Sequence, residues 1–337
     1  MSDVKIRAAD LRRVLFDINP LLPSATLDTP IGMHLHGDKL CITCLQGCVY
    51  QATINVLDDN ENIADITILY HDIASLVPNE GSVLLEFLPI GLNVVGSDFS
   101  VTFQVGYSTV EEQIIDATHY KDISYANYAD GLATLTKCNL DKLFKINVPI
   151  LVDNAVSVMK FPNVWIQTRT TGLTFSSVLD VAHVKVLIKF KPSHVDDSKP
   201  GVLTFKNDIA FLQIPTKNNN DKVRVVDLLN DLSEPVRLNL EHYLDRLKEA
   251  SKSESKAHCN ISVYEHGLIT AIKTQGTAVS VHCGDTTGKL INVINLPVQV
   301  WLALLRCVDS PDVEILVGGA KFCIRTTTLV IVARALG

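Results

Sequence analysis

The sequence predicts an α+β protein built by repeating one element, a helix followed by a three-stranded β-meander. Three observations predict it. Near the C-terminus, "VEILVGGAKFCIRTTTLVIVA" (313–333) has nearly the same build as "VLLEFLPIGLNVVGSDFSVTF" (83–103): short runs of Val, Ile, Leu and Phe, partly alternating with other residues and separated by small turn-forming stretches. Alternation with a period of two marks strands with one buried face. Each copy also follows an apolar stretch at helical spacing, "LPVQVWLALLRCV" before the late copy and "LYHDIASLV" before the early one. Finally, the same template fits the chain four more times.

The first repeat is "DLRRVLFDINPLL" followed by "GMHLHGDKLCITCLQGCVYQATINV", and "LYHDIASLV" opens the second. The third sets "NLDKLFKINVPIL" before "VSVMKFPNVWIQTRTTGLTFSSV", and the fourth sets "VAHVKVLIKF" before "GVLTFKNDIAFLQIPTKNNNDKVRVV". In the fifth, "NLEHYLDRLKEA" precedes "CNISVYEHGLITAIKTQGTAVSVHC", and the C-terminal copy completes the series. The strand blocks begin near residues 32, 83, 156, 201, 259 and 313, so the likeness is one of pattern and not of identity. One helix with one meander cannot bury both sheet faces, whereas two such repeats share a core. Three domains of two repeats are therefore expected, 1–117, 118–233 and 234–337. The stretch "EEQIIDATHYKDISYANYADG" reads as the first linker, and the Pro of "NDLSEPV" punctuates the second.

A length of 337 residues with 47% apolar content agrees with two or three cores. No run approaches 18 uninterrupted apolar residues, and "MSDVKIRAADLRRVL" is charged where a signal peptide needs an apolar centre, so a soluble cytoplasmic protein is expected. The formal charge of −7 gives no support for bulk affinity for nucleic acid and speaks mildly against it, so any basic surface is local.

Catalytic and metal chemistry find little support. Cys41, Cys44 and Cys48 have C-x2-C-x3-C spacing, but they fall in strand-like sequence, where residues three apart point to opposite faces, and no second pair completes a ligand set. "GDTTGKL" is one residue short of a phosphate loop and lacks the hydroxyl residue after Lys289. Neither H-E-x-x-H nor G-x-S-x-G occurs, and the acidic clusters lie beside turn residues. The expectation is a non-enzyme with no cofactor and no metal.

At both ends the residues resemble a known family, the DNA sliding clamps of the DNA polymerase III β-subunit type and their phage-encoded relatives. "IRAADLRRVLFDINPLLPSATLDTPIGMHLHGDKLCITCLQGCVYQATI" is similar to the clamp opening, and "INLPVQVWLALLRCVDSPDVEILVGGAKFCIRTTTLVIVARALG" to its ending. The resemblance implies three tandem clamp domains and a ring of two chains, closed head to tail, with helices inside and sheets outside. Such a homodimer encircles duplex DNA, tethers a polymerase, and meets polymerase and clamp loader through short linear peptides. Basic residues on the inner helices would then face DNA: Arg7, Arg12 and Arg13 in the first repeat, Lys137, Lys142 and Lys145 in the third, and Arg246, Lys248 and Lys252 in the fifth. The resemblance also implies a peptide groove lined by the turn "TRTTGLTF", with Thr170, Gly172, Leu173 and Phe175, and by the tail strand, with Val330, Val332, Arg334 and Leu336. The ending "VIVARALG" lacks the Pro and Met common at that terminus, which tilts the reading towards a phage-encoded clamp. Two other classes fit the same pattern: a β-rich viral or phage structural protein that does not encircle DNA, and an enzyme whose site is dispersed along the chain.

Overall fold

The computed structural model describes residues 2–21, 29–58, 63–104, 110–115, 117–138, 140–217, 228–252, 257–273 and 278–334. The first repeat runs β1 (Ser2–Arg7), α1 (Ala8–Ile18), a 3-10 turn, β2 (Pro30–His36), β3 (Lys39–Leu45), β4 (Val49–Asn55) and β5 (Ile63–Leu69). The second has α2 (Tyr70–Ala74), β6 (Ser82–Leu88), β7 (Gly91–Val95) and β8 (Ser100–Gln104). After a short β9 (Lys121–Asp122), the third runs α3 (Tyr125–Lys137), α4 (Asp141–Phe144), β10 (Ile150–Asp153), β11 (Val156–Phe161), β12 (Val164–Arg169) and β13 (Ser176–Leu179). The fourth has α5 (Val181–Phe190), β14 (His194–Asp196), β15 (Val202–Lys206) and β16 (Ala210–Pro215). The fifth has β17 (Val236–Asn239), α6 (Tyr243–Ser251), β18 (His258–Lys273) and β19 (Ala278–Pro297). The sixth has α7 (Val298–Arg306), β20 (Asp312–Gly318), β21 (Lys321–Arg325) and β22 (Leu329–Arg334).

The chain forms two compact units, Met1–Tyr125 with Lys185–Lys217, and Ala126–Val184 with Asn218–Gly337. Residues 118–233, expected as a middle domain, thus contribute to both units. Unit one holds a sheet in the order β1-β6-β7-β8 and a longer one in the order β5-β2-β3-β4-β16-β15-β14-β9. Unit two holds the sheet β13-β10-β11-β12-β22-β21-β20-β17 and the ribbon β18-β19. The two long sheets are built alike. In each, a four-stranded set from one repeat pairs with a set distant in sequence, through Ala52↔Ala210 in unit one and Trp165↔Val332 in unit two.

Local chemistry explains the helices. Along α1, Ala8, Leu11, Val14, Leu15 and Ile18 recur at helical spacing and are buried, while Arg12, Arg13 and Phe16 face water. Each large aliphatic on such a stripe contributes roughly 1.5–3 kcal/mol by leaving water. In unit two, α7 buries Trp301, whose ring meets Phe322 edge-on at 5.7 Å. Its indole Nε1 donates to the Tyr243 hydroxyl on α6 at 3.0 Å, and that hydroxyl is hydrogen-bonded to buried Thr270.

The structure departs from the sequence expectations in three places. Arg7 ends strand β1 and precedes α1 instead of lying on the helix, because Val4 and Ile6 alternate into the core as β1 pairs with β6. The expected linker is helical from Tyr125: Tyr128, Leu132 and Leu135 are buried four and three residues apart. Gly131 is required there, since a Cβ on it would sit 2.1 Å from the Arg169 carbonyl oxygen. The third helix is thus displaced toward the N-terminus, leaving only the short α4 where "NLDKLF" predicts it. Finally, the fifth meander is a long two-stranded ribbon with register shifts around Tyr264, and "GDTTGKL" lies inside β19, where the Asp285 carboxylate accepts the Thr287 N–H at 2.9 Å.

Candidate partner-binding site

In unit two the long sheet presents two unlike faces. Ile150, Val152, Met159, Val164, Ile166, Phe322, Ile324 and Ile331 on one face are buried. On the other, Val158, Cys323 and Val332 form an apolar cluster against which Leu151, Trp165, Leu316 and Val330 pack, together with Leu228, Leu229 and Leu232 of the segment before β17. That segment is pinned at its end, where Ser233 N donates to the Val317 carbonyl at 2.7 Å and Lys321 Nζ reaches the Asn230 carbonyl at 3.4 Å. Gly318 admits this crossing, since a Cβ there would lie 2.1 Å from the Asp231 carbonyl oxygen.

The tail strand arrives here by register. Val332 pairs with both Trp165 and Cys323, and Val330 with both Gln167 and Arg325. Arg334 lies over the Trp165 ring at 5.5 Å from its centroid, a cation–π contact. Val330 is half-buried, Val332 is covered and Arg334 is exposed; Leu336 lies outside the described residues. The expected turn is placed differently. Thr170 is buried with its hydroxyl 2.9 Å from that of Ser157, and Leu173 and Phe175 are also buried. Gly172 takes φ +101, a left-handed value that favours glycine. The turn residues therefore pack inward, and the open apolar surface belongs to Trp165, Val330 and residues 228–232. Trp165 carries a readable signal, a large aromatic out of phase with buried Val164, Ile166 and Thr168.

Beside this apolar strip runs a charged one. Arg169, Arg237 and Arg325, with Asp312 and Glu314, line a depression of ≈ 780 Å³. Glu314 accepts from Arg325 Nε at 2.8 Å and Arg237 Nε at 3.3 Å. The hydrogen bonds from Arg325, with the charges of both arginines, hold its carboxyl below the usual range despite burial. Asp312 accepts from the Asn239 side chain at 2.8 Å.

The basic residues expected at DNA occupy several elements. Arg12 and Arg13 project from α1, and Arg12 donates to the Val77 carbonyl at 3.2 Å. Lys137 is exposed on the last turn of α3, Lys145 is exposed in a left-handed position after α4, and Lys142 falls within α4, so these three lysines do not share one helix. Arg246 and Lys252 are exposed at α6, whereas Lys248 pairs with Asp245 at 2.9 Å. The cysteine spacing gathers no ligand set: burial pushes the Cys41 and Cys44 thiols up to about 12 and Cys48 to about 11, and among the described residues no three His, Cys, Asp or Glu side chains converge on a metal position. Among the described residues no helix is long and apolar enough to cross a membrane.

No protein-family model matches the chain, and no curated protein sequence does. Solved structures do match along the whole chain. The DNA polymerase III β-subunit of Pseudomonas aeruginosa superposes with a TM-score of 0.78 at 10% identity, covering 99% of each chain. The fold is that of the bacterial β clamp. The Helicobacter pylori β clamp, solved bound to a DNA ligase peptide, matches with a TM-score of 0.73 at 11% identity over 99% of this chain and 100% of its own. The β-subunit of Streptococcus pyogenes DNA polymerase gives 0.74 at 11% identity, covering 99% of each chain. At such identities the likeness extends to the β-clamp backbone and not to particular side chains.

Proposed function

We propose that this protein is a DNA sliding clamp, a processivity factor that encircles duplex DNA as a ring of two copies and tethers a polymerase through the groove on β12, β21 and β22. The observation that carries this reading is the full-length β-clamp fold, with TM-scores of 0.73 and above over 99% of the chain. Three clamp domains, 1–117, 118–233 and 234–337, give six pseudo-equivalent domains per pair of chains. Strand edges are available for closure: β8 ends its sheet, and the ribbon β18-β19 pairs with no further strand among the described residues. Pairing of one copy's β8 with a strand of the partner's ribbon would give each of these two edges a partner in place of an exposed one.

A ring holds DNA by topology, so the inner surface needs only enough positive charge to keep the duplex centred. Arg12 and Arg13 on α1, with Arg246 and Lys252 at α6, supply scattered cations, and a charge of −7 is compatible with that arrangement. Tight phosphate contacts would retard sliding, because each one adds affinity through counterion release. The apolar strip at Trp165 and Val330, beside residues 228–232, accepts a short peptide's anchoring side chains, with the polymerase and the clamp loader as the expected carriers.

Light scattering with particle imaging tests the assembly. The expected result is a closed ring near twice the 37.0 kDa chain mass. A strict monomer at micromolar concentration, both free and with DNA, contradicts it.

A further inference from the structure

We infer that the arginine-lined depression beside the apolar strip selects an acidic residue, so that the partner peptide carries a carboxylate next to its apolar anchor. The inference rests on reading the strip as a peptide groove and adds the chemistry of what the groove takes.

Charge is the first argument. Three guanidinium groups, Arg169, Arg237 and Arg325, face two carboxylates, Asp312 and Glu314, around one depression. The local balance is three minus two, a surplus of one positive charge in a chain whose formal charge is −7. Both carboxylates are already engaged, Glu314 between two arginines and Asp312 with Asn239. Arg169 makes no ion pair among the described residues, and the Arg237 side chain is 81% exposed, so both keep donors directed to water. Guanidinium groups with spare donors bind a carboxylate through paired, charge-assisted hydrogen bonds.

Geometry is the second. Val330 belongs to the apolar strip and is the register partner of Arg325, which is itself cross-strand from Glu314, with Arg237 beyond. Val330 is therefore about one strand spacing, ~5 Å, from Arg325 and about three, ~14 Å, from Arg237. Arg169 lies two residues along β12 from Gln167, the partner of Val330 on its other side, and an extended peptide covers roughly 7 Å in two residues. An acid about two residues from the anchor reaches Arg169, and one about four residues away reaches Arg237, while the anchor stays on Val330 and Trp165. The two carboxylates argue against a nucleic-acid backbone here, because a row of phosphates would meet Asp312 and Glu314 as well as the arginines.

The test uses the full chain as bait for a phage-displayed random peptide library, with selected peptides resynthesised carrying fluorescein for anisotropy titration. Enrichment of Asp or Glu at a fixed short distance from an apolar anchor is expected. Changing that acid to its amide should weaken binding about tenfold, and the Arg169→Gln, Arg237→Gln double variant should lose the same factor for the acidic peptide while binding the amide peptide unchanged. The Glu314–Arg325 pair remains in this variant, and its unfolding midpoint checks the fold. Selected peptides with an apolar anchor and no acid would overturn the inference and leave the groove reading standing. No selected peptide at all would overturn both. Loss of duplex DNA retention in the double variant would assign the arginines to phosphate and likewise overturn the inference.

Discussion

Two single residues carry testable energetics. Tyr243 links buried Trp301 and Thr270 through one hydroxyl, so Tyr243→Phe leaves an indole N–H and a threonine hydroxyl without that partner. The expected cost is about 1–3 kcal/mol, read from chemical denaturation, and an unchanged midpoint contradicts the buried chain. Asp17 is half-buried on α1, and burial pushes its carboxyl from 3.8 to about 6, with Arg13 nearby opposing the rise. The folded state then holds a proton that the unfolded chain gives up across that window, so the group's contribution to stability falls as pH rises from about 4 to 6 and is level above it. Asp17→Asn should remove this slope in denaturation midpoints measured across the window; a slope equal to that of the parent chain sinks the assignment. At this scale the sequence is only partly readable. Trp165 betrays itself by breaking the alternation of its strand, but Arg169, Arg237 and Arg325 come together through the pairings of β12, β22, β21, β20 and β17, and no local spacing announces that.

The elements are more legible where one face alone decides them. The stripes of α1 and α7 and the strands β6 to β8 and β20 to β22 follow directly from periods of 3.6 and two. The helix α3 is not legible, because Tyr, Asn, Asp and Gly in "YANYADG" have the composition of a loop, and only burial of Tyr128, Leu132 and Leu135 reveals the helix. The fifth repeat misleads for a different reason: a ribbon and a meander share the alternation, and only pairing distinguishes them. The exposed faces of α1 and α6 give a prediction of their own. Replacing Arg12, Arg13 and Arg246 with Glu should weaken retention on DNA and flatten its salt dependence, by about 0.9 in the log–log slope for each phosphate no longer neutralised, while circular dichroism stays unchanged. Unaltered retention with the fold intact removes these helices from the DNA-facing surface.

For the whole molecule, the two long sheets matter most, since each joins a four-stranded set to another far away in sequence through β4·β16 or β12·β22. That continuity leaves no mark in local periodicity, which is why the sequence yields repeats but not the division into two units. The central claim is that the protein holds DNA by encircling it. The direct measurement is topological. Protein diluted until it dissociates, then concentrated with nicked circular duplex, is isolated with the DNA by gel filtration in high salt, and the circle is then cut once with a restriction enzyme. The expected result is protein retained on the intact circle and released when the circle is linearised. Equal retention before and after cutting would mean that binding is by contact, and no retention on the circle would mean that no ring closes around DNA; either result contradicts the account.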